Sequence, residues 1–179
     1  MEQITIHNLP FKPFVTSDKI AKTNAFLAKR IAEDLGPDEE PVFVGILNGS
    51  FMFVSDFIRN YPHPCHVSFV KLSSYKSLDS TGVIKKLIGI NEDLTNKTVI
   101  ILEDIIDTGT TLEEIYRIFN EQNLKQLKIA TLFFKPEAYK KELPIDYVGL
   151  EIEDKFIVGY GLDFDGLGRN LPDVYQIDK

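Results

Sequence analysis

The sequence contains a single cysteine, Cys65, so no disulfide bond can form within the chain. It also lacks an excess of basic residues, because the formal net charge is −7 at pH 7 and the isoelectric point is about 5.0. Proteins that hold nucleic acid draw their affinity from clustered Lys and Arg side chains. The charge therefore argues against nucleic acid as the main partner and favours a small-molecule substrate.

Long apolar runs are absent as well. No stretch approaches the roughly 20 apolar residues that a membrane-spanning helix needs, and the N-terminal Met-Glu-Gln-Ile has neither the basic start nor the apolar run of a signal peptide. The sequence has no low-complexity tract and no internal repeat. We therefore expect a cytoplasmic protein with no membrane partner and, at 179 residues, a single domain.

Apolar periodicity predicts an α/β protein. A helix is predicted over 17–35, with Ser17 as its N-cap and Gly36-Pro37 as its stop. Further helices are predicted at 51–59 and 110–122, and strands at 42–47, 66–72, 99–102 and 127–134. Strand, helix and strand in this order indicate right-handed crossovers in a central, mostly parallel twisted sheet flanked by helices.

Beyond Lys135 the pattern changes to shorter pieces. Candidate strands occur at 147–152 and 155–160, and a glycine-rich acidic stretch covers 159–169. No Pro- or Ser-rich linker separates this part from the rest. It is therefore interpreted as a small lobe over the edge of the sheet and not as an independent domain.

The segment 99–112 carries the clearest chemical signal. A buried strand ends in Glu103 and Asp104, and Asp107 then precedes a Thr-Gly-Thr-Thr turn that opens a helix. Ligands of open parallel sheets bind beyond the carboxyl ends of the strands, and the N–H groups at a helix start form a cradle for phosphate. Carboxylates beside such a cradle suit ribose hydroxyls and hydrated Mg²⁺, so the segment predicts a site for a sugar phosphate with magnesium.

An acidic loop followed by a Thr N-cap would produce the same spacing, and the motif alone leaves that interpretation open. Other phosphate-binding motifs do not fit. The sequence has no Gly-x-x-x-x-Gly-Lys-Ser/Thr loop and no Gly-x-Gly-x-x-Gly opening a helix. Asp104 and Asp107 are three residues apart, whereas an aspartate-nucleophile phosphatase would have two aspartates two apart.

The segment from Ile101 to Leu112 resembles the phosphoribosyl pyrophosphate signature of type I phosphoribosyltransferases. From about Val42 onward the chain is similar to the hypoxanthine-guanine branch of that family, through five separated segments in the expected order. The resemblance implies a single phosphoribosyltransferase domain over 1–179. Its core would cover about 17–135, and a small hood lobe would come from about 1–16 and 136–179.

Within the signature, the resemblance implies that Glu103 and Asp104 address the ribose hydroxyls and hold Mg²⁺. Asp107 would act as general acid or base at the purine N7. The remaining signature residues would enclose the 5-phosphate: Thr108, Gly109, Thr110 and Thr111.

Two loops would complete the sugar side of the site. Asn48 and Gly49 resemble the family's pyrophosphate loop, although the position of Asn48 often carries Lys or Arg, which leaves the contact made by this side chain open. Ser74 and Tyr75, within a polar segment at 73–82, resemble the mobile loop that closes over the reaction centre and excludes water. A strand-to-helix turn and an ordinary hairpin excursion are the respective alternatives from the residues alone.

The resemblance also implies how a base is recognised. Lys135 would donate to the 6-oxo group, Phe156 would stack on the ring, and the backbone of Ile157 would meet the Watson–Crick edge. Asp163 would be a second metal-binding carboxylate, and Arg169 would contact pyrophosphate. Taken alone, Lys135 fits a solvated strand end, Phe156 fits a core position, and Asp163 fits a turn.

The function implied is purine salvage: hypoxanthine or guanine plus 5-phosphoribosyl 1-pyrophosphate gives IMP or GMP and pyrophosphate, with Mg²⁺. Two alternatives remain at this point, a regulator that senses phosphoribosyl pyrophosphate and a xanthine-preferring transferase. The family also implies a homo-oligomer, a dimer or tetramer. The preference among the oxopurines depends on contacts near base position 2, which the sequence leaves open.

Overall fold

A computed structural model describes residues 2–74, 84–88, 90 and 92–178 of the chain. Its three helices are α1 (Ser17–Leu35), α2 (Phe51–Asn60) and α3 (Thr110–Asn120). The strands are β1 (Ile4–Ile6), β2 (Leu9–Val15), β3 (Val42–Leu47), β4 (His66–Ser74), β5 (Ile84–Ile88), β6 (Thr98–Ile106), β7 (Gln126–Phe134), β8 (Tyr147–Glu151), β9 (Ile157–Val158) and β10 (Val174–Ile177). None of the helices in the described part of the chain has the length and apolar character needed to cross a membrane.

The larger sheet has the order β5-β4-β3-β6-β7-β8. Strands β4, β3, β6, β7 and β8 are parallel, and β5 pairs antiparallel to β4 at the edge. The predicted mostly parallel sheet is therefore confirmed. Strand β8, which follows Lys135 in the chain, joins this sheet through its pairing with β7.

Both faces of the sheet are covered, which explains why its central strands are apolar without alternation. In β6, Ile100 and Leu102 face the cluster that contains α1 and α2, whereas Val99 and Ile101 face the cluster that contains α3. All four side chains are fully buried. Replacing one of them with Ala would cost about 2–5 kcal/mol of stability.

The N-cap of helix α1 lies one residue before the predicted cap. Thr16, and not Ser17, is the N-cap, because its backbone is extended and its hydroxyl accepts a 3.2 Å hydrogen bond from the N–H of Lys19. The Ser17 N–H instead donates to Asp173 Oδ1 at 2.6 Å. At the other end Gly36, at φ +79°, ends the helix as predicted.

A second, smaller antiparallel sheet has the order β1-β2-β10-β9. It joins the two ends of the chain, since β2 pairs with β10 and Phe11 packs with Val158 and Tyr175. This confirms the small lobe from the chain ends. The division into a core at 17–135 and a hood at 1–16 and 136–179 stays a prediction.

Candidate active site

The predicted site residues converge at the carboxyl edge of the parallel sheet. β3 ends at the Asn48-Gly49 turn, β6 ends just before Asp107, and β7 ends just before Lys135. The N–H of Lys135 donates to the Ile106 carbonyl at 3.0 Å, so the ends of β6 and β7 are held together at this edge. Parallel pairing therefore gathers segments that are far apart in the sequence.

The Thr-Gly-Thr-Thr turn forms the start of α3. Gly109 is the N-cap residue at φ +85°, a conformation that favours glycine. A Cβ at this position would lie 2.6 Å from Cε2 of Tyr139, so the turn is packed tightly from behind. The hydroxyls of Thr108 and Thr110 lie 3.1 Å apart, and a cavity of about 200 Å³ lies against this turn. Its amide groups, its hydroxyls and the helix start are suited to cradle a phosphate.

Glu103 and Asp104 form a carboxylate pair beside this cradle. Glu103 is buried, and burial together with the neighbouring Asp104 raises its pKa well above the usual range. Burial raises the pKa of Asp104 to about 6, although backbone hydrogen bonds and the charge of Arg169 oppose that rise. Both carboxylates line a cavity of about 380 Å³ that also contains Gly49, Thr110 and Thr111.

Gly49 lies directly against Asp104 in the lining of this cavity. A Cβ on Gly49 would lie 1.7 Å from Oδ2 of Asp104, so no side chain fits there. Asn48 is exposed, and its peptide bond to Leu47 is cis. Ser50 is buried, and its hydroxyl donates to the Ile46 carbonyl at 2.7 Å. The loop thus presents backbone at the cavity and places Ser50 in the core.

Lys135 lies between two carboxylates. Its Nζ is 2.8 Å from Oδ2 of Asp107 and 3.3 Å from Oδ1 of Asp154. The Lys135 side chain is only 7% exposed, whereas that of Asp107 is 44% exposed. A buried ammonium needs such partners to keep its charge, so the pair presents a fixed cation and a solvent-accessible carboxylate together.

The acidic stretch folds back over the same edge. Arg169 donates from Nη1 to the Gly161 carbonyl at 2.6 Å, and its Nη2 lies 2.6 Å from Oδ1 of Asp163. The second oxygen of Asp163 accepts a 2.8 Å hydrogen bond from the Gly166 N–H. Asp163 and Arg169 are therefore an ion pair whose geometry is set by the backbone of their own turn.

A cleft of about 290 Å³ brings most of these groups together. Its lining consists of Gly49, Asp104, Ile105, Asp107, Lys135, Phe156, Ile157, Leu162, Asp163 and Arg169. Phe156 is 45% exposed, and its ring is 5.4 Å from that of Phe164. An exposed aromatic face beside a fixed cation is suited to stacking a planar heterocycle.

The predicted lid lies largely beyond the described residues. Ser74 is the last residue of β4, and Tyr75 lies outside the described residues. Asp154, Tyr139 and Tyr160 contact the site or its supports but were not predicted from the sequence. Asp154 precedes Phe156 by two residues, and that proximity is the only local signal that pointed to it.

Magnesium is compatible with the oxygen donors of the cleft. Asp104 and Asp163 both line it, and carboxylate oxygens suit Mg²⁺. Within the described ranges, no group of three or more His, Cys, Asp or Glu residues is arranged to hold a metal ion. Mg²⁺ commonly keeps waters and takes substrate oxygens in addition to one or two carboxylates, so a substrate with its own oxygens would have to complete the set.

A cavity larger than these lies elsewhere in the described structure. It has a volume of about 520 Å³ and lies at the C-terminal ends of α1 and α2, lined by Lys29, Gly36, Asn60 and His63 among others. It is a wide, open depression with no helix start in its lining, and the Lys29–Glu33 pair at its edge is a solvent-exposed contact of 3.6 Å within α1. The chemistry, and not the volume, places the site at the sheet edge.

The chain matches a known protein family. Residues 14–165 match the family model described as phosphoribosyl transferase domain. Because the match covers most of the sequence, the chain belongs to the phosphoribosyltransferase family, as the signature at 101–112 predicted.

Its relatives lie in the predicted branch. The chain is 37% identical over 174 residues to the hypoxanthine-guanine phosphoribosyltransferase of Aquifex aeolicus, covering 97% of this chain and 98% of that protein. It is 42% identical over 139 residues to the hypoxanthine phosphoribosyltransferase of Salmonella typhimurium, covering 77% and 78%. A crystal structure of a hypoxanthine-guanine phosphoribosyltransferase from Bacillus anthracis aligns with a TM-score of 0.87 at 38% identity, over 93% of this chain and 98% of that one.

Proposed function

We propose that this enzyme transfers the 5-phosphoribosyl group of phosphoribosyl pyrophosphate to hypoxanthine or guanine, forming IMP or GMP and releasing pyrophosphate. The contact between Lys135 Nζ and Asp107 Oδ2 at 2.8 Å carries the proposal. It joins a cation that can recognise a 6-oxo group to a carboxylate that can exchange a proton. Both groups lie in the cleft that also contains Phe156, Asp163 and Arg169.

Different residues of the site suit different parts of the two substrates. The phosphate cradle at Thr108–Thr111 suits the 5-phosphate, and Glu103 and Asp104 lie where ribose hydroxyls would follow. Gly49 and Arg169 suit pyrophosphate, since an arginine fork and an open backbone both accept an oxyanion. Phe156 and the backbone of Ile157 are left for the base.

The chemical step joins the purine N9 to the anomeric carbon as the bond from that carbon to the pyrophosphate oxygen breaks. Asp107 accepts the N7 proton as positive charge develops on the ring. Lys135 donates to the 6-oxo oxygen and so stabilises the ring as it attacks. The same ammonium faces an amino group if adenine binds, and two opposed donors disfavour that base.

Asp104 and Asp163 would hold Mg²⁺ together with oxygens of the substrate, with Glu103 behind Asp104. The ion would neutralise charge on the diphosphate. Arg169 lies against Asp163 and contributes a positive charge that remains when the leaving group departs. We expect the enzyme to act as a homo-oligomer, a dimer or tetramer, which sedimentation velocity would establish.

The test is pyrophosphate release from phosphoribosyl pyrophosphate with hypoxanthine, guanine, xanthine, adenine or uracil, each with Mg²⁺ and with excess EDTA. The proposal predicts turnover of hypoxanthine or guanine only, and only with Mg²⁺. Faster turnover of xanthine would make this a xanthine-preferring transferase. Binding of phosphoribosyl pyrophosphate without turnover of any base would favour a sensor in place of an enzyme that acts in salvage.

A further inference from the structure

Tyr160 connects the turn that carries Asp163 and Arg169 to two helices. Its phenol is buried, and its backbone has φ +50°. The hydroxyl accepts a 2.8 Å hydrogen bond from Nδ2 of Asn24 in α1 and donates a 2.7 Å hydrogen bond to Oδ2 of Asp56 in α2. Asn24 is also fully buried. Together with a longer 3.4 Å contact from the hydroxyl to a backbone carbonyl of α2, these bonds fix the side chain to both helices.

The residues after Tyr160 form a closed turn. The Gly161 N–H donates to the Arg169 carbonyl at 3.0 Å, while the Arg169 side chain donates to the Gly161 carbonyl at 2.6 Å. Arg169 also pairs with Asp163 at 2.6 Å. A displacement of Gly161 would therefore move both members of the ion pair.

Gly161 in turn lies directly against the loop after β3. A Cβ on Gly161 would lie 2.1 Å from the carbonyl oxygen of Gly49. Gly49 itself lies against the Asp104 carboxylate. The separation between the Asp163–Arg169 pair and Asp104 thus depends on how Tyr160 is anchored.

We propose that Tyr160 is a positioning residue that holds the Asp163–Arg169 pair at the pyrophosphate side of the cleft. This inference rests on the proposed function. The anchor ties the turn at 159–169 to α1 and α2, which are packed on the larger sheet, whereas Phe164 of the same turn packs against the smaller sheet. A pair held in place before binding loses less conformational freedom when the ligand arrives.

Two single-atom variants separate this role from general stability. Tyr160→Phe removes the hydroxyl and all of its hydrogen bonds. Tyr61→Phe is the matched control, because the Tyr61 hydroxyl is buried in the same core cluster and has no hydrogen-bond partner within the described residues. Asp56→Leu should act like Tyr160→Phe, whereas Asp56→Asn keeps an acceptor and should retain most of the wild-type behaviour.

Calorimetric titration with pyrophosphate in Mg²⁺, and separately with ribose 5-phosphate, measures the two halves of the site. We expect Tyr160→Phe to weaken pyrophosphate binding about tenfold, the size of effect that loss of a hydrogen bond to a charged group has. Binding of ribose 5-phosphate should stay within about twofold, because no residue of the turn lines the cavity at the α3 cradle. Unchanged pyrophosphate binding, or equal weakening of both ligands, would contradict the proposal.

Hydrogen–deuterium exchange without ligand tests the anchor independently of any function. Amides at 161–169 should exchange faster in Tyr160→Phe than in the wild type or in Tyr61→Phe, while those of α3 stay unchanged. Unchanged exchange at 161–169 would overturn the positioning role even if the enzyme turns over hypoxanthine. Faster exchange in a protein that binds no pyrophosphate would support the anchor and count against the proposed function instead.

Discussion

Asp107 and Asp154 approach the same ammonium group, that of Lys135, at 2.8 Å and 3.3 Å. Of the two, Asp107 follows β6 beside the phosphate cradle, whereas Asp154 belongs to the segment before Phe156. The same residue type therefore occurs twice around one cation, and only Asp107 lines the cleft. This arrangement allows a proton-transfer role to be separated from a simple charge-balancing role.

Asp107→Asn should lower kcat by about 10²–10³-fold, the usual contribution of a general acid or base. The KM for phosphoribosyl pyrophosphate should change little, because the amide keeps the shape of the side chain. Steady-state kinetics with hypoxanthine measures both values. Asp154→Asn is the control, since it also removes one negative charge from Lys135, and equal slowing by the two variants would assign Asp107 only an electrostatic role.

Lys135→Met should lower kcat/KM for hypoxanthine by about 10²-fold, since a buried charged donor is lost and its two carboxylates are left without it. The low value for adenine should change little, so the preference for the 6-oxopurine collapses. Lys125→Met provides a control. Lys125 pairs with Glu39 and immediately precedes β7, so it lies at the opposite end of that strand from Lys135. An unchanged ratio of hypoxanthine to adenine would show that Lys135 does not recognise the base.

Gly49→Ala should abolish detectable binding of phosphoribosyl pyrophosphate, because the new Cβ would lie 1.7 Å from Asp104 Oδ2 and must displace that carboxylate. Gly36→Ala is the comparison: it has φ +79° but nothing within 4 Å of the added Cβ. That change should cost about 1–2 kcal/mol of stability and leave binding intact. Thermal unfolding and ligand titration of both variants distinguish the two effects, and normal binding by Gly49→Ala would remove the loop from the site.

Glu39 gives a pH-dependent contribution to stability far from the site. Its carboxylate accepts from Lys125 Nζ at 2.7 Å and from the Thr98 hydroxyl at 2.5 Å, and the Lys125 contact is the main reason that its pKa lies below the usual 4.5. A lowered folded-state pKa stabilises the protein above the unfolded-state value and loses that effect as pH falls through the folded-state value.

Glu39→Gln should therefore reduce the free energy of unfolding at pH 7, and its difference from the wild type should shrink as the pH falls below about 4.5. Urea unfolding at several pH values measures this. Glu33→Gln serves as the reference, because the Glu33 side chain is 65% exposed and its pairing with Lys29 is weakly stabilising. A difference that persists unchanged at low pH would mean that the charge of Glu39 is not responsible.

The parallel core was predictable because its signal is local. Ile100, Ile101 and Leu102 are buried on both faces of one strand. A short apolar run followed by helical periodicity was therefore sufficient to predict a buried strand and the helix after it. Of the smaller sheet, the candidate strand at 155–160 covers β9, but β2 and β10 were not predicted, because Pro10 and Pro13 interrupt the pattern of β2 and its partner β10 has four residues. Its pairing joins the two ends of the chain, and no spacing in the sequence encodes that.

The candidate site also has a part that was predicted from the sequence and a part that was missed. The signature from Glu103 to Thr111 is contiguous, and its position at a strand end followed from apolar pattern and turn chemistry. Asp154 and Tyr160 were missed because their partners are Lys135, Asn24 and Asp56, contacts that arise only once the chain folds back over the sheet edge. A lone Tyr or Asp in a turn carries no local signal for such contacts.

The most direct test of the central claim is the ratio of kcat/KM for hypoxanthine to that for adenine, measured with phosphoribosyl pyrophosphate and Mg²⁺ by direct detection of the nucleotide formed. Recognition of the 6-oxo group by Lys135 predicts a ratio of at least about 10³, because a buried hydrogen-bonding group rejects a mismatched partner strongly. A ratio near one, or formation of AMP in preference to IMP, would contradict recognition of a 6-oxopurine by Lys135 and with it the proposed function.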